Sequence, residues 1–296
     1  MIVVTGPTAV GKTAVAIAIA KKYHTEIISA DSRQCYKEMA IGVARPSLQE
    51  LQTVPHHFIA SHAVSETVNA AVFEQYALQK AQEIFKEKNV LVLAGGTGLY
   101  IKAFCEGMDE MPDIPGTVRH QIRANYEKYG LPWLQQEIQK KDPVFYQHGE
   151  IQNPHRVMRA LEVVEATGNS IFDFRTGTKS QRNFQVLKIG LTLPKDELHR
   201  NINERTDKMI AEGLEEEVKS LWQYRHVNAL QTVGYAEMID YLNGNSSLEQ
   251  AIERIKMNTR RYAKRQMTWF KKDQQIQWFS PADFTRIEAY LEKSIR

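Results

Sequence analysis

Gly6-Pro7-Thr8-Ala9-Val10-Gly11-Lys12-Thr13 keeps the spacing G-x-x-x-x-G-K-S/T. Glycines at the first and sixth places let successive backbone amides turn toward an anion. The lysine adds a point charge and the threonine hydroxyl can ligate Mg²⁺. The apolar run Ile2 to Val4 reads as a strand before this segment, and Thr13 to Tyr23 reads as a helix after it. The positive end of that helix would face the same anion. The pattern therefore predicts a P-loop, with Gly6 to Thr13 holding a phosphate group and Thr13 able to ligate a magnesium ion. It leaves open whether the ligand is a nucleotide such as ATP.

Asp31, in Ser29-Ala30-Asp31-Ser32-Arg33-Gln34, closes a second strand read over Glu26 to Ala30. A carboxylate at the carboxyl edge of a parallel sheet can act as a general base, as a magnesium ligand through water, or as the N-cap of the following turn. A third strand, Val90 to Ala94, runs into Gly95-Gly96-Thr97-Gly98 and offers no Asp or Glu where a hydrolytic P-loop ATPase holds its metal. Thr97 could hydrogen-bond a substrate there, or the segment could be a plain strand-to-helix turn. Arg205 falls on the apolar line of Leu198, Ile202, Met209 and Ile210. Its guanidinium can snorkel to solvent, pair with a buried carboxylate, or reach a diphosphate.

The mild overall charge of +3 hides local concentration. Arg254 to Lys272 carries eight basic residues and no acid, interleaved with Tyr262, Trp269 and Phe270. That composition suits phosphates and unpaired bases, although Ile255, Tyr262 and Trp269 at helical spacing would also suit a core. Asn153-Pro154-His155-Arg156-Val157-Met158-Arg159 opens a helix with Arg156 and Arg159 one turn apart, fit for a nucleic-acid backbone or for a solvated face.

These residues need a scaffold that brings the ends of several strands together. Strands alternating with helices over residues 1 to 105 predict an α/β fold, a P-loop core whose parallel sheet is flanked by helices. The Pro- and Gly-rich stretch Met111 to Gly116 marks a boundary. Helical patterns follow over Thr117 to Tyr129, Pro132 to Lys140 and Pro154 to Thr167, and strand character returns over Gln185 to Leu193. The expected organisation is a core of residues 1–116 and 181–296 with a helical insertion at 117–180. A separate C-terminal domain is the alternative.

Hydrophobic residues are 43% and charged residues 25%, and no apolar run reaches the roughly 20 residues of a membrane span. Nothing at Met1 to Val4 marks export, so a cytoplasmic protein without membrane contact is expected. Cys35 and Cys105 read as reduced thiols, and the doublet His56-His57 as a polar loop rather than a metal site.

Taken together, the chain resembles the bacterial tRNA dimethylallyltransferases, also called isopentenyl-tRNA transferases. The resemblance runs through the whole chain. It is carried by Gly6 to Thr13, Asp31-Ser32-Arg33-Gln34, Val54-Pro55-His56-His57, Gly95 to Tyr100, Arg156 to Val163, Val233-Gly234-Tyr235 and Ala263 to Phe270. It departs at Ile41-Gly42-Val43-Ala44-Arg45-Pro46, where the family usually reads Ile-Gly-Thr-Ala-Lys-Pro, and at Ala60, where an acid is common.

The resemblance implies that dimethylallyl diphosphate occupies the cradle and that its allyl group moves to N6 of the adenosine beside the anticodon, position 37. Asp31 would be the general base, while Lys12, Thr13 with Mg²⁺ and Arg205 would stabilise the departing diphosphate. Thr97 would lie near the reacting groups and Gln34 would meet the edge of an extruded base. Contacts to the anticodon stem-loop would come from Asp31 to Gln34, Thr97, Arg119, His155 to Arg159 (with Val157 and Met158), Lys264 and Arg265, with the protein acting as a monomer. A nucleotide kinase and an RNA-binding ATPase share the cradle and are the competing expectations.

Overall fold

The computed structural model describes residues 1–295 and divides into two compact units, Met1–Glu106 with Gln181–Arg296, and Gly107–Ser180. The first unit is built on six parallel strands: β1 (Ile2–Thr5), β2 (Ile27–Ser29), β3 (His56–His57), β4 (Val92–Gly95), β5 (Leu187–Leu191) and β6 (Ile276–Phe279). Their order across the sheet is β3-β2-β4-β1-β5-β6. β1, β2 and β4 are short, largely apolar runs because both faces of the sheet are covered. Alternation then divides the side chains. Val3, Ile28 and Leu93 enter one core cluster, while Ile2, Val4, Ile27, Val92 and Ile189 enter the other.

In chain order the helices are α1 (Lys12–Lys22), α2 (Leu48–Thr53), α3 (Ala70–Phe85) and α4 (Gly98–Glu106) in the first unit, then α5 (Gly116–Lys141), α6 (Pro143–His148) and α7 (Pro154–Thr167) in the second. The first unit resumes with α8 (Lys195–Ala211), α9 (Leu214–Ser220), α10 (Tyr235–Leu242), α11 (Leu248–Phe270) and α12 (Phe284–Ser294). Phe73 and Phe104 of α3 and α4 fill one side of the sheet, with Ala251 and Ile255 of α11 in the same cluster. Ile19 of α1 and Ile287 and Leu291 of α12 fill the other. No helix among the described residues is long and apolar enough to cross a membrane.

The helical unit begins at Gly107 rather than at 117, because Ile114 is already buried in its core with Ile122, Leu134, Phe145 and Leu161. Gly130, with φ 71° and ψ −167°, breaks α5 into two helical pieces. Asp142 caps α6 through the Phe145 amide at 2.9 Å and also accepts from Ser170 Oγ at 2.8 Å.

One expectation requires correction here. His56-His57 is not a loop but the edge strand β3, paired with Ile27 and Ile28. Near the C-terminus β6 pairs in parallel with β5 and forms the other edge of the sheet.

The strand order places a switch point between β1 and β4. The chain leaves β1 toward β2 on one side, and after β4 it returns on the other side as β5. Loops diverge there and leave a crevice at the carboxyl ends of the strands. Gly95 closes β4 against the neighbouring chain, where a Cβ would come within 2.2 Å of the Ala30 carbonyl oxygen. Backbone cannot yield as a side chain can. Gly95→Ala is therefore expected to destabilise the first unit by about 1–3 kcal/mol, measured as a lowered urea midpoint with unchanged slope.

Candidate active site

At the switch point lies a cavity of about 340 Å³ whose wall includes Thr8, Ala9, Gly11, Lys12, Thr13, Asp31, Gln34 and Arg205. That volume lies within the range of small-molecule sites. Gly6 (φ 146°) could not carry a side chain, because a Cβ would stand 2.6 Å from the Leu191 carbonyl oxygen. Gly11 (φ 95°) turns the chain into α1, and Ala9 takes φ 64° without being glycine, a conformation that L-residues enter at a cost.

Lys12, in the first turn of α1, donates from Nζ to the carbonyl oxygens of Gly6 at 3.1 Å and Pro7 at 2.7 Å. Its side chain keeps some exposure to the cavity, yet protein surrounds the ammonium. Burial pushes its pKa down to about 8, with Asp31 opposing and Arg205 reinforcing the shift. Arg205, from α8, donates to Thr8 Oγ1 at 2.7 Å. Burial also lowers its pKa, again opposed by Asp31.

Asp31 follows β2 after one residue, Ala30. Its Oδ1 accepts the amides of Arg33 at 2.9 Å and Gln34 at 3.2 Å, so the turn-capping geometry is present. Its other oxygen has no hydrogen-bond partner among the described residues. Thr97 Oγ1 accepts the Ser32 amide at 3.1 Å and lies 3.4 Å from Ser32 Oγ, joining the turn after β4 to the segment that carries Asp31. Gln34 is less free than the resemblance implies. Its carboxamide donates to the Val43 and Ala44 carbonyls at 3.2 and 2.9 Å and accepts from Ser29 Oγ at 3.3 Å. Arg33 reaches Asn228 Oδ1 at 3.3 Å.

Sequence reasoning missed Glu217, the last of three consecutive acids in the first turn of α9. Its carboxylate accepts the amides of Ala40, Ile41 and Gly42 at 2.9, 2.8 and 3.0 Å and the Tyr235 hydroxyl at 2.5 Å. Burial, with Glu217 adding to it, raises the Tyr235 pKa, so the phenol remains a donor. The loop thus anchored continues into Val43 to Pro46, which form part of the cavity wall. The only signals in the sequence were Gly42 and Val233-Gly234-Tyr235. A Cβ on Gly42 would stand 2.5 Å from the Tyr235 ring.

Residues 34–273 match the family model described as IPP transferase. A "tRNA dimethylallyltransferase" of Cytophaga hutchinsonii is 43% identical over all of this chain and 97% of its own length. The chain belongs to the IPP transferase family. The family model begins at Gln34, so the likeness of the Gly6 to Thr13 segment and Asp31 rests on full-length relatives. A "tRNA dimethylallyltransferase 1" of Bacteroides thetaiotaomicron is 44% identical over 98% of this chain and 94% of its own. The crystal structure of the full-length tRNA isopentenylpyrophosphate transferase from Bacillus halodurans superposes with a TM-score of 0.72 at 35% identity, covering 99% of this chain and 95% of that one. A eukaryotic dimethylallyltransferase, solved in snapshots described as acting on tRNA, gives 0.73 at 26% identity over 91% and 69%.

The helical unit of this IPP transferase family member presents its basic residues unevenly. His155 and Arg156 are exposed, with Arg156 ion-paired to Glu150. Arg119 and half-buried Arg159 share Glu162 at 4.0 and 3.3 Å. Met158 is half-buried, and Val157 is wholly buried in the core of that unit. Its side chain packs and offers no surface to RNA, which removes it from the set of contact residues. In the first unit Lys264 and Arg265 are exposed on α11. Cys35 and Cys105 are free thiols, and no cluster of three His, Cys, Asp or Glu that could hold a metal occurs among the described residues.

Because the folded-state pKa of Lys12 is depressed, its ammonium is complete only below about 8 and is lost as the pH rises through that value. The affinity advantage of the native protein over Lys12→Met for inorganic diphosphate is expected to shrink across this window in calorimetric titrations. A constant ratio at all pH values would contradict the electrostatic role.

Proposed function

We propose that the chain transfers a dimethylallyl group from dimethylallyl diphosphate to N6 of the adenosine next to the anticodon, position 37 of tRNA, releasing diphosphate. One observation carries the chemistry: the carboxylate that closes β2 faces the same cavity as the anion-turned loop after β1. A displacement needs its nucleophile's base and its leaving group's stabiliser on one reacting carbon.

On this reading the Gly6 to Thr13 segment, Lys12 and Arg205 take the diphosphate. Asp31 accepts the N6 proton through the carboxylate oxygen that its own turn leaves free, and Oδ1 stays fixed by the Arg33 and Gln34 amides. Ile27, Val43, Pro46, Ile59 and Ala94 give the prenyl group an apolar wall. The donors at the cavity fit Mg²⁺, an ion that takes few protein oxygens and completes its shell with phosphate and water. Thr13 is the residue that would hold it, and when bound it would neutralise charge developing on the diphosphate.

Gln34 braces the Val43-Ala44 wall against which an extruded adenine would sit, and Thr97 with Ser32 supports the base. Arg33, Arg119, His155, Arg156, Met158, Arg159, Lys264 and Arg265 supply contacts to the anticodon stem-loop. The chain acts as a monomer in the cytoplasm, with tRNA as its large partner.

Purified protein given unmodified tRNA and radiolabelled dimethylallyl diphosphate is expected to place label in RNA. Asp31→Ala should lower the rate by at least about 100-fold while tRNA binding persists in filter assays. Consumption of ATP with no label in RNA would instead support a kinase or an RNA-dependent ATPase.

A further inference from the structure

The main-chain pairing of β1 with β4 ends at Thr5 and Gly95. Beyond that rung the two loops that frame the cavity diverge, and no ladder holds them together. One side chain bridges the gap. Gln266, on α11, accepts the Thr8 amide on Oε1 at 2.8 Å and donates from Nε2 to the Gly96 carbonyl at 2.9 Å. It is only 7% exposed. Since one partner is a donor and the other an acceptor, just one orientation of the carboxamide satisfies both. Gly96 permits the approach, because a Cβ there would lie 2.3 Å from Nε2.

We propose that Gln266 is a positioning residue for the transfer reaction, a clamp that sets the separation between the diphosphate loop and the turn carrying Thr97. The proposal rests on the function given above and deepens it. On one side, Thr8 is held twice, through its amide by Gln266 and through its hydroxyl by Arg205. That fixes the leaving-group cation against the loop. On the other, Gly96 is followed by Thr97, whose hydroxyl holds Ser32 beside Asp31. Base and leaving-group site are thus spaced by a single buried amide. The clamp rides on the helix that exposes Lys264 and Arg265, so a polyanion held by those side chains bears on the same element.

A glutamic acid at this site keeps the clamp only while protonated, donating to Gly96 and accepting from Thr8. Ionised, it turns a second acceptor toward the Gly96 carbonyl, and burial lifts its titration toward neutral pH. Single-turnover label transfer by Gln266→Glu is therefore expected to stay within about threefold of the native rate at acidic pH, and to fall by at least about tenfold relative to it as the pH rises. Gln266→Leu should lose about tenfold or more in both transfer and inorganic-diphosphate affinity at every pH.

A Gln266→Glu rate that keeps a constant ratio to the native rate at all pH values would overturn the proposal. So would Gln266→Leu retaining native transfer and affinity with only a lowered melting temperature. Should Gln266→Leu fail to fold, the Gln266→Glu series decides alone. If the native protein places no label in RNA, the function above falls, while the diphosphate affinities of the two variants still test the clamp.

Discussion

Two buried cations, Lys12 and Arg205, share one cavity with the carboxylate of Asp31, and the loops around them sustain that arrangement. Burial works against both positive charges and Asp31 works for both. The remaining cost is met by oriented oxygen atoms: the Gly6 and Pro7 carbonyls for Lys12 and the Thr8 hydroxyl for Arg205. Two buried cations beside an anion-turned loop favour an anionic ligand, and in the proposed reaction that anion is a diphosphate. The charge that weighs on the free fold is thus the charge that binds.

Sustaining it requires rigidity where the sheet can no longer supply any. β1, β2 and β4 are locked by parallel pairing up to their carboxyl ends, and the functional atoms lie just past those ends. There the order comes from side chains of the C-terminal half, Gln266 between two loops and Glu217 beneath a third. That half also contributes β5 and β6 to the sheet. Residues 181–295 are therefore part of the same unit as the N-terminal strands and not a domain apart from them.

What could be read from the sequence divides along the same line. The strand, glycine-rich loop and helix of residues 2 to 22 are contiguous, and their apolar runs and glycines carry their own explanation. Asp31 and Thr97 were legible because each ends a strand whose place at the sheet edge follows from topology. Glu217 and Gln266 were not. An acid in a run of three acids and a polar residue inside a basic helix look solvated until tertiary contacts enclose them. His56-His57 failed as a strand for another reason: two polar residues have no apolar alternation, and only their pairing with Ile27 and Ile28 defines them. Val157 shows the reverse, since a residue inside a turn read as a nucleic-acid contact packs wholly into the core of its unit.

The basic helix carries this furthest. Counted along the chain, Arg254 to Lys272 holds cations and no acid, which reads as one continuous polyanion face. In the fold acids reach it from outside that stretch: Asp240 of α10 pairs with Arg254, Asp207 of α8 holds Lys256 at 2.8 Å, and Glu253, earlier in α11, reaches Lys256 at 3.3 Å. Arg260 is turned inward to Asn203 at 2.6 Å. The exposed positive charge is concentrated at the end of α11 and just beyond it, at Arg261, Lys264, Arg265, Lys271 and Lys272, beside exposed Trp269. Trp269 also lies against Gly98, where a Cβ would meet its indole nitrogen at 2.2 Å. The exposed cations and the contact that braces the turn after β4 therefore lie within about one turn of each other on α11, so in the proposed function recognition and chemistry would meet there.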